Sequence, residues 1–155
     1  MSLASSFWDG KSYAVVGVRA PGRRLIKEFV KSLEAAGKSL WLVDEDTAPF
    51  DGREVHAGFE GAPGDLDGAL IVCAPEQAAS AVGACVDARI PKLWLDTRGD
   101  SSVAADAALE AGLPCVVEAC PLTTIPGAMW LHRAHGCVAT WMGRIREVHP
   151  GDEAR

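Results

Sequence analysis

Three arginines, Arg19, Arg23 and Arg24, stand within six residues of one another in an otherwise acidic chain, interleaved with Gly17 and Gly22. The planar guanidinium fork matches the oxygens of a phosphate group, so this combination points to anion binding. A glycine at 17 lets the backbone turn and approach a ligand with no Cβ in the way. Gly22 stands where a helix should begin, and the free N–H groups and positive dipole end of a helix attract phosphate. The segment Gly17-Val18-Arg19-Ala20-Pro21-Gly22-Arg23-Arg24 therefore reads as a phosphate-binding loop. A plainer reading stands beside it, because strand-to-helix loops commonly carry glycine and arginines at a helix start are often merely solvated.

Two familiar phosphate motifs fail at this loop. Gly17 and Gly22 have the glycine spacing of G-x-x-x-x-G-K-[ST], but Arg23 and Arg24 stand where the lysine and the magnesium-binding hydroxyl belong. ATP or GTP hydrolysis is not expected on that ground. In G-x-G-x-x-G the second glycine lets a pyrophosphate come close, and here Arg19 stands in its place. Asp44 nonetheless follows the second apolar run, where an acid binding a ribose would lie, and this keeps NAD(P) open as an alternative.

Other chemistry-bearing residues form no recognisable constellation. Asp9, Asp44, Glu45, Asp46 and Asp96 are carboxylates that spacing alone does not pair as acid and base. His132, His135 and Cys137, with Cys120 upstream, match no standard zinc spacing, so no metal site is expected. Cys73 and Cys120 lack the surroundings of a catalytic cysteine, and no catalytic residue is assigned. Trp130, Trp141 and Met142 suit either a homodimer face or an amphipathic helix folded back over the sheet.

The elements that must position the loop follow from period and punctuation. Apolar runs at Ser12–Val18, Ser39–Val43, Gly68–Cys73, Lys92–Leu95 and Pro114–Glu118 read as five strands. Between them lie helical patterns from about Gly22 to Ala36, Pro75 to Arg89 and Ser101 or Ser102 to Gly112. The polar stretch 44–67 is expected to hold one short strand or turn near Val55. This alternation predicts an α/β fold of three layers, a Rossmann-type doubly wound domain on a mainly parallel five-stranded sheet. In such a sheet, ligands bind beyond the carboxyl ends of the strands, which selects the loops 18–24, 44–46, 74–77 and 96–100.

The run Tyr13-Ala14-Val15-Val16-Gly17-Val18 with Pro21 resembles the opening of the small stand-alone CoA-binding proteins. These are similar in turn to the nucleotide-binding half of the succinyl-CoA ligase alpha subunit. Ile71-Val72-Cys73-Ala74-Pro75, Ile90-Pro91-Lys92-Leu93-Trp94-Leu95 and Glu110-Ala111-Gly112-Leu113-Pro114-Cys115-Val116-Val117 with Cys120-Pro121 agree in order and spacing. The resemblance spans about Phe7 to Pro121. It implies a Rossmann fold holding coenzyme A or an acyl-CoA, with Gly17, Val18, Arg19, Pro21, Gly22, Arg23 and Arg24 around the phosphates. Asp44 would lie by the adenosine, Ala74 and Pro75 by the pantetheine, and Asp96 and Thr97 in the fourth loop. The family commonly has Asn-Pro after its second strand, where this chain has Asp44-Glu45, and two acids repel a 3′-phosphate. Ligases of this lineage need a further grasp domain and a phosphorylated histidine that this chain does not show. The expectation is therefore a binding domain without catalysis of its own, with an NAD(P)-dependent oxidoreductase, or a subunit of one, as the alternative. A third and weaker reading is a structural dimer whose nucleotide site has decayed.

Composition sets the outer limits. The 155 residues suit one domain, divided here into a CoA-binding-like unit at 1–121 and an extension at 122–155 that packs on it or forms a dimer contact. A hydrophobic fraction of 48% and a charged fraction of 23% are ordinary for a packed core. The formal net charge of −6 argues against a nucleic-acid partner. No run is long and apolar enough to span a membrane, and the first ten residues do not read as a signal peptide. The five scattered cysteines read as buried thiols of a cytoplasmic protein.

Overall fold

Strands whose side chains are apolar on both faces need a layer of helix on each side, and the chain meets that need with one sheet between two helical layers. A computed structural model describes residues 2–21, 25–97, 99–117, 119–127 and 146–152. The elements begin with a short helix α1 (Leu3–Ser6) and a 3-10 turn at Phe7–Asp9. They continue through β1 (Ser12–Val16), α2 (Ile26–Ala35), β2 (Ser39–Val43), β3 (Val55–His56), β4 (Gly68–Ile71) and α3 (Pro75–Asp87). The chain then forms β5 (Leu93–Leu95), α4 (Ser102–Glu110), β6 (Cys115–Val117) and β7 (Arg146–Val148).

Among the described residues the sheet has seven strands in the order β3-β2-β1-β4-β5-β6-β7. All neighbours are parallel except β6 and β7. The α/β class and the mainly parallel sheet agree with the sequence reading, but the strand number is corrected from five to seven. The two additions are β3, at the short strand or turn expected near Val55, and β7. β3 has two residues, and β7 is Arg146-Glu147-Val148, an edge strand in which Val148 alone is buried. The first strand also stops at Val16 rather than Val18, because Gly17 turns the chain at φ +88°.

Alternation along the strands divides the core in two. Tyr13, Val15, Leu42, Leu70, Trp94 and Val116 face α2, whose Ile26, Phe29, Val30 and Leu33 recur at helical spacing. Ala14, Val43, Ala69, Ile71, Leu93 and Cys115 face α3 and α4. Helix α2 stops at Gly37, where φ is +78° and the amides of Gly37 and Lys38 bond back to the carbonyls of Glu34 and Leu33. The α2 layer is completed by Phe7 and Trp8, which precede β1, and by Leu122 and Ile125, which follow β6. Among the described residues, no helix is long and apolar enough to cross a membrane.

Candidate functional site

The chain leaves β1 toward β2 on one side and returns to β4 on the other, so the strand order reverses between β1 and β4. That switch point is where an open parallel sheet leaves a crevice beyond its strand ends. Here the crevice is a cleft of about 310 Å³. Its floor is the ends of β1 and β2 with Gly17, Asp44 and Glu45, and α3 supplies its wall through Glu76, Gln77, Ser80, Ala81 and Ala84.

Gly17 fixes the shape of the mouth. Its amide donates to the carbonyl of Val43 at 2.8 Å, carrying the β1–β2 pairing one residue beyond the strand. A Cβ built on Gly17 would lie 2.6 Å from the Cβ and 2.7 Å from the Cα of Cys73. Backbone cannot yield to that approach, and the positive φ independently favours glycine. The carbonyl of Gly17 then accepts the amide of Ala20 at 3.0 Å, which closes a turn over Val18 and Arg19.

Asp44 ties this turn to the next loop. One of its carboxylate oxygens accepts the amide of Arg19 at 2.9 Å, and the other accepts the amide of Asp46 at 3.1 Å. The Arg19 side chain completes the tie. Its Nε donates to the carbonyl of Asp46 at 3.2 Å, and its Nη2 donates to the carbonyls of Ala48 and Pro49. The guanidinium also lies 5.9 Å from the centre of the Phe50 ring. The arginine that the sequence offers first as a phosphate ligand is thus bound to the loop between β2 and β3.

The other expected site residues are spread along the strand ends. Val18 is buried in the core on the α2 side, so a ligand would meet its backbone alone. Pro21 is exposed at the end of the turn, and Gly22, Arg23 and Arg24 lie outside the described residues. Ala74 and Pro75 start α3 beside the cleft, with Pro75 in the first helical turn, where its missing N–H costs nothing. Asp96 and Thr97 sit one loop further on. Thr97 is buried, and its hydroxyl is 2.5 Å from that of Ser101. The two neighbouring loops touch, since a Cβ on Gly99 would fall 2.7 Å from Cγ of Pro75. His132, His135, Cys137, Trp130, Trp141 and Met142 lie outside the described residues.

The loop 74–77 selected from the sequence reaches Glu76 and Gln77, but sequence reasoning missed the rest of the wall. Gln77, Ser80, Ala81 and Ala84 are spaced i, i+3, i+4 and i+7, one small and polar stripe of α3 beside its buried stripe of Ala78, Val82 and Cys85. That spacing was the available signal. Glu76, in the first turn, brings a third carboxylate to the cleft with Asp44 and Glu45. Two buried thiols on this side of the sheet stay protonated well above neutral pH. Burial pushes Cys85 up to about 12 and Cys115 up to about 11. Among the described residues, no three His, Cys, Asp or Glu side chains group to hold a metal.

The family model for the CoA binding domain matches residues 11–126. The chain belongs to the CoA binding domain family. The match begins at the residue before β1 and ends just past the 3-10 turn at Pro121–Thr123, so it encloses the whole cleft. Solved structures similar to this CoA binding domain share its fold at low identity. A hypothetical protein from Pyrococcus horikoshii OT3 is 19% identical with a TM-score of 0.69, over 78% of this chain and 86% of that one. A conserved hypothetical protein from Pyrococcus furiosus is 20% identical with a TM-score of 0.63, over 72% and 96%. The dinucleotide forming acetyl-coenzyme A synthetase 1 of Ca. Korarchaeum cryptofilum is 14% identical with a TM-score of 0.60; 74% of this chain aligns with 27% of that enzyme. No curated protein sequence matches the chain.

Proposed function

We propose that this chain binds coenzyme A or an acyl-CoA through the adenine-nucleotide half of the molecule and does not itself catalyse a reaction. The observation that carries this reading is the strand-end cleft at the β1–β4 switch point, gated by Gly17 at φ +88°, in a member of the CoA binding domain family. In this reading the backbone at Gly17, Val18 and Arg19 faces the pyrophosphate, with Pro21, Gly22, Arg23 and Arg24 continuing the loop. Arg23 and Arg24 supply its charge. Asp44 meets the ribose, Ala74 and Pro75 flank the pantetheine, and Asp96 and Thr97 shape the far loop. Residues 1–121 form the binding unit, with 122–155 as an extension that packs on it or forms a dimer contact.

One observation favours a second reading. Asp44 at the end of β2 stands where dinucleotide-binding folds bind the ribose hydroxyls, which keeps an NAD(P)-dependent oxidoreductase or a subunit of one in view. Isothermal titration with CoA, NAD⁺ and NADP⁺ separates the two. Saturable heat with CoA, lost by at least about tenfold in an Arg23→Ala, Arg24→Ala double variant, is the expected outcome, since each charged phosphate contact is worth a kcal/mol or more. Gly17→Ala should abolish binding and cost about 2–4 kcal/mol in urea unfolding, because it combines a strained φ with a backbone clash. Heat with a dinucleotide alone would replace CoA as the ligand.

A further inference from the structure

We infer that the cleft reads the adenosine ribose and selects a nucleotide whose 2′- and 3′-hydroxyls carry no phosphate. Within the CoA class, the preferred ligand is then the 3′-dephospho form. This rests on the proposed CoA reading for where the adenosine lies, and deepens it by naming the form of the ligand.

The ribose of a nucleotide bound across a doubly wound sheet lies against the end of the second strand. In this chain that position is Asp44, followed by Glu45, with Glu76 on the helix opposite lining the same cleft. The Asp44 carboxylate is held in place by the Arg19 and Asp46 amides, one on each oxygen. Two oxygens offer about four acceptor directions, so each still has one for a hydroxyl donor. A free ribose supplies such donors. A phosphate at the 2′- or 3′-oxygen removes one donor and brings up to two negative charges among three carboxylates.

One cation of the phosphate loop is engaged elsewhere. Arg19 spends its guanidinium on the carbonyls of Asp46, Ala48 and Pro49 and on the face of Phe50. The described residues that line the cleft include no Arg, Lys or His. The rest of the lining suits an adenosine. Val16, Val43, Ala57, Ala81 and Ala84 offer apolar surface to a base, and Gln77 and Ser80 offer hydrogen-bonding groups to its edge. Taken singly, Glu76 is an ordinary first-turn acid that complements the α3 dipole, and Glu45 is an exposed loop residue. Their shared field in the cleft is what an added phosphate must meet.

The experiment is parallel titration of the full chain with CoA, 3′-dephospho-CoA, NAD⁺ and NADP⁺, at low and at high salt. Dephospho-CoA should bind about tenfold more tightly than CoA at low salt, with the gap narrowing at high salt because exposed charges are screened. In a Glu45→Gln, Glu76→Gln double variant the ratio should collapse toward one. CoA binding as tightly as dephospho-CoA, or more tightly, overturns this inference and leaves the CoA reading standing. A gap that persists unchanged at high salt and in the double variant also overturns it, since steric exclusion would then account for the preference. If only the dinucleotides bind, the CoA reading falls. The ribose inference is then decided by them, upheld if NAD⁺ is preferred to NADP⁺ and overturned if it is not. Failure of all four to bind overturns both.

Discussion

The two faces of the sheet are built from different materials. On the α2 face, Phe7, Trp8, Tyr13 and Trp94 pack ring against ring. Phe7 meets Trp8 edge-on at 4.7 Å between centroids, and Trp8 stacks on Trp94 at 5.7 Å. Each polar atom of Tyr13, Trp8 and Trp94 has a partner. The Tyr13 hydroxyl donates to the carbonyl of Phe7 at 2.8 Å and accepts the amide of Gly10 at 2.8 Å. Trp94 Nε1 donates to the carbonyl of Ala119 at 2.9 Å, and Trp8 Nε1 to the Thr124 hydroxyl at 3.1 Å. On the other face the buried residues include no aromatic ring and many small side chains: Ala14, Ala69, Ala78, Ala104, Ala105 and Ala108, with Cys73, Cys85 and Cys115. The aromatic face closes itself with Phe7 and Trp8 from ahead of the family-matched segment and with Leu122, Thr124 and Ile125 from its last residues. The small-residue face carries α3 and α4 over β4, β5 and β6, and the ends of β1 and β2 stay open beside α3 as the cleft. One face holds the fold together, and the other leaves room for a ligand.

The largest expected effect tests that division directly. Trp94→Ala removes a fully buried ring at the centre of the aromatic cluster and orphans the Ala119 carbonyl. It should cost about 4 kcal/mol in urea unfolding, as buried aromatic truncations do. The folded fraction should keep its affinity for CoA or dephospho-CoA, since Trp94 points away from the cleft. A loss of affinity in step with stability would show that the two faces are not independent.

The same contrast explains what could be read in the sequence. β2 was legible to the residue at Ser39–Val43, because an apolar run lies between the helix stop at Gly37 and the acids from Asp44 onward. The start of α3 was legible from Pro75. β3 falls at the short strand or turn expected near Val55. β7 was not legible, because Arg146-Glu147-Val148 carries one apolar residue, whereas β5 and β6, also three residues long, are apolar throughout. Phe7 and Trp8 gave an unread signal, since adjacent aromatics ahead of a strand ask for a buried place. The glycine at the mouth of the site was readable from residue type alone. The destination of Arg19 was not, because its partners are backbone carbonyls of Asp46, Ala48 and Pro49, and every residue has one. The double tie at Asp44 also changes how the cleft can be tested. Asp44→Ala would strand the Arg19 and Asp46 amides and loosen both loops, so it would weaken any nucleotide alike. Glu45 and Glu76 are the cleaner probes.

An intermediate effect distinguishes the faces by alkaline titration. A thiol in the unfolded chain ionises near its ordinary value of 9.0, whereas burial, helped by nearby Cys73, pushes Cys85 up to about 12 in the fold. The folded state therefore keeps its proton longer. Its stability from this group is whole below about pH 9 and declines as pH rises toward 12. On the aromatic face burial likewise pushes Tyr13 from 10.0 up to about 12, so its decline starts one unit later. Cys85→Ala should flatten the fall in unfolding free energy between pH 9 and 10 by up to about 1.4 kcal/mol per pH unit. An unchanged slope would mean that the small-residue face admits water.

The smallest effect concerns how the aromatic face is fastened. Glu147, on edge strand β7, accepts the amide of Ala4 at 2.7 Å and so ties α1 to the far edge of the sheet. Burial alone would raise its carboxyl. Hydrogen bonds from the amides of Ala4 and Leu3 and the side chains of Ser2 and His149 outweigh burial and hold it below its ordinary 4.5. A depressed carboxylate stabilises the fold above the ordinary value, and that stability is lost as pH falls through the lower one. Glu147→Gln keeps an acceptor oxygen but removes the charge, so it should cost about 0.5–1 kcal/mol at pH 7 and progressively less below pH 4.5. Unfolding curves at pH 7 and pH 4 read the difference. Equal costs at both would mean that the tie depends on shape rather than charge. A change in nucleotide affinity would mean that the fastening of one face reaches the cleft on the other.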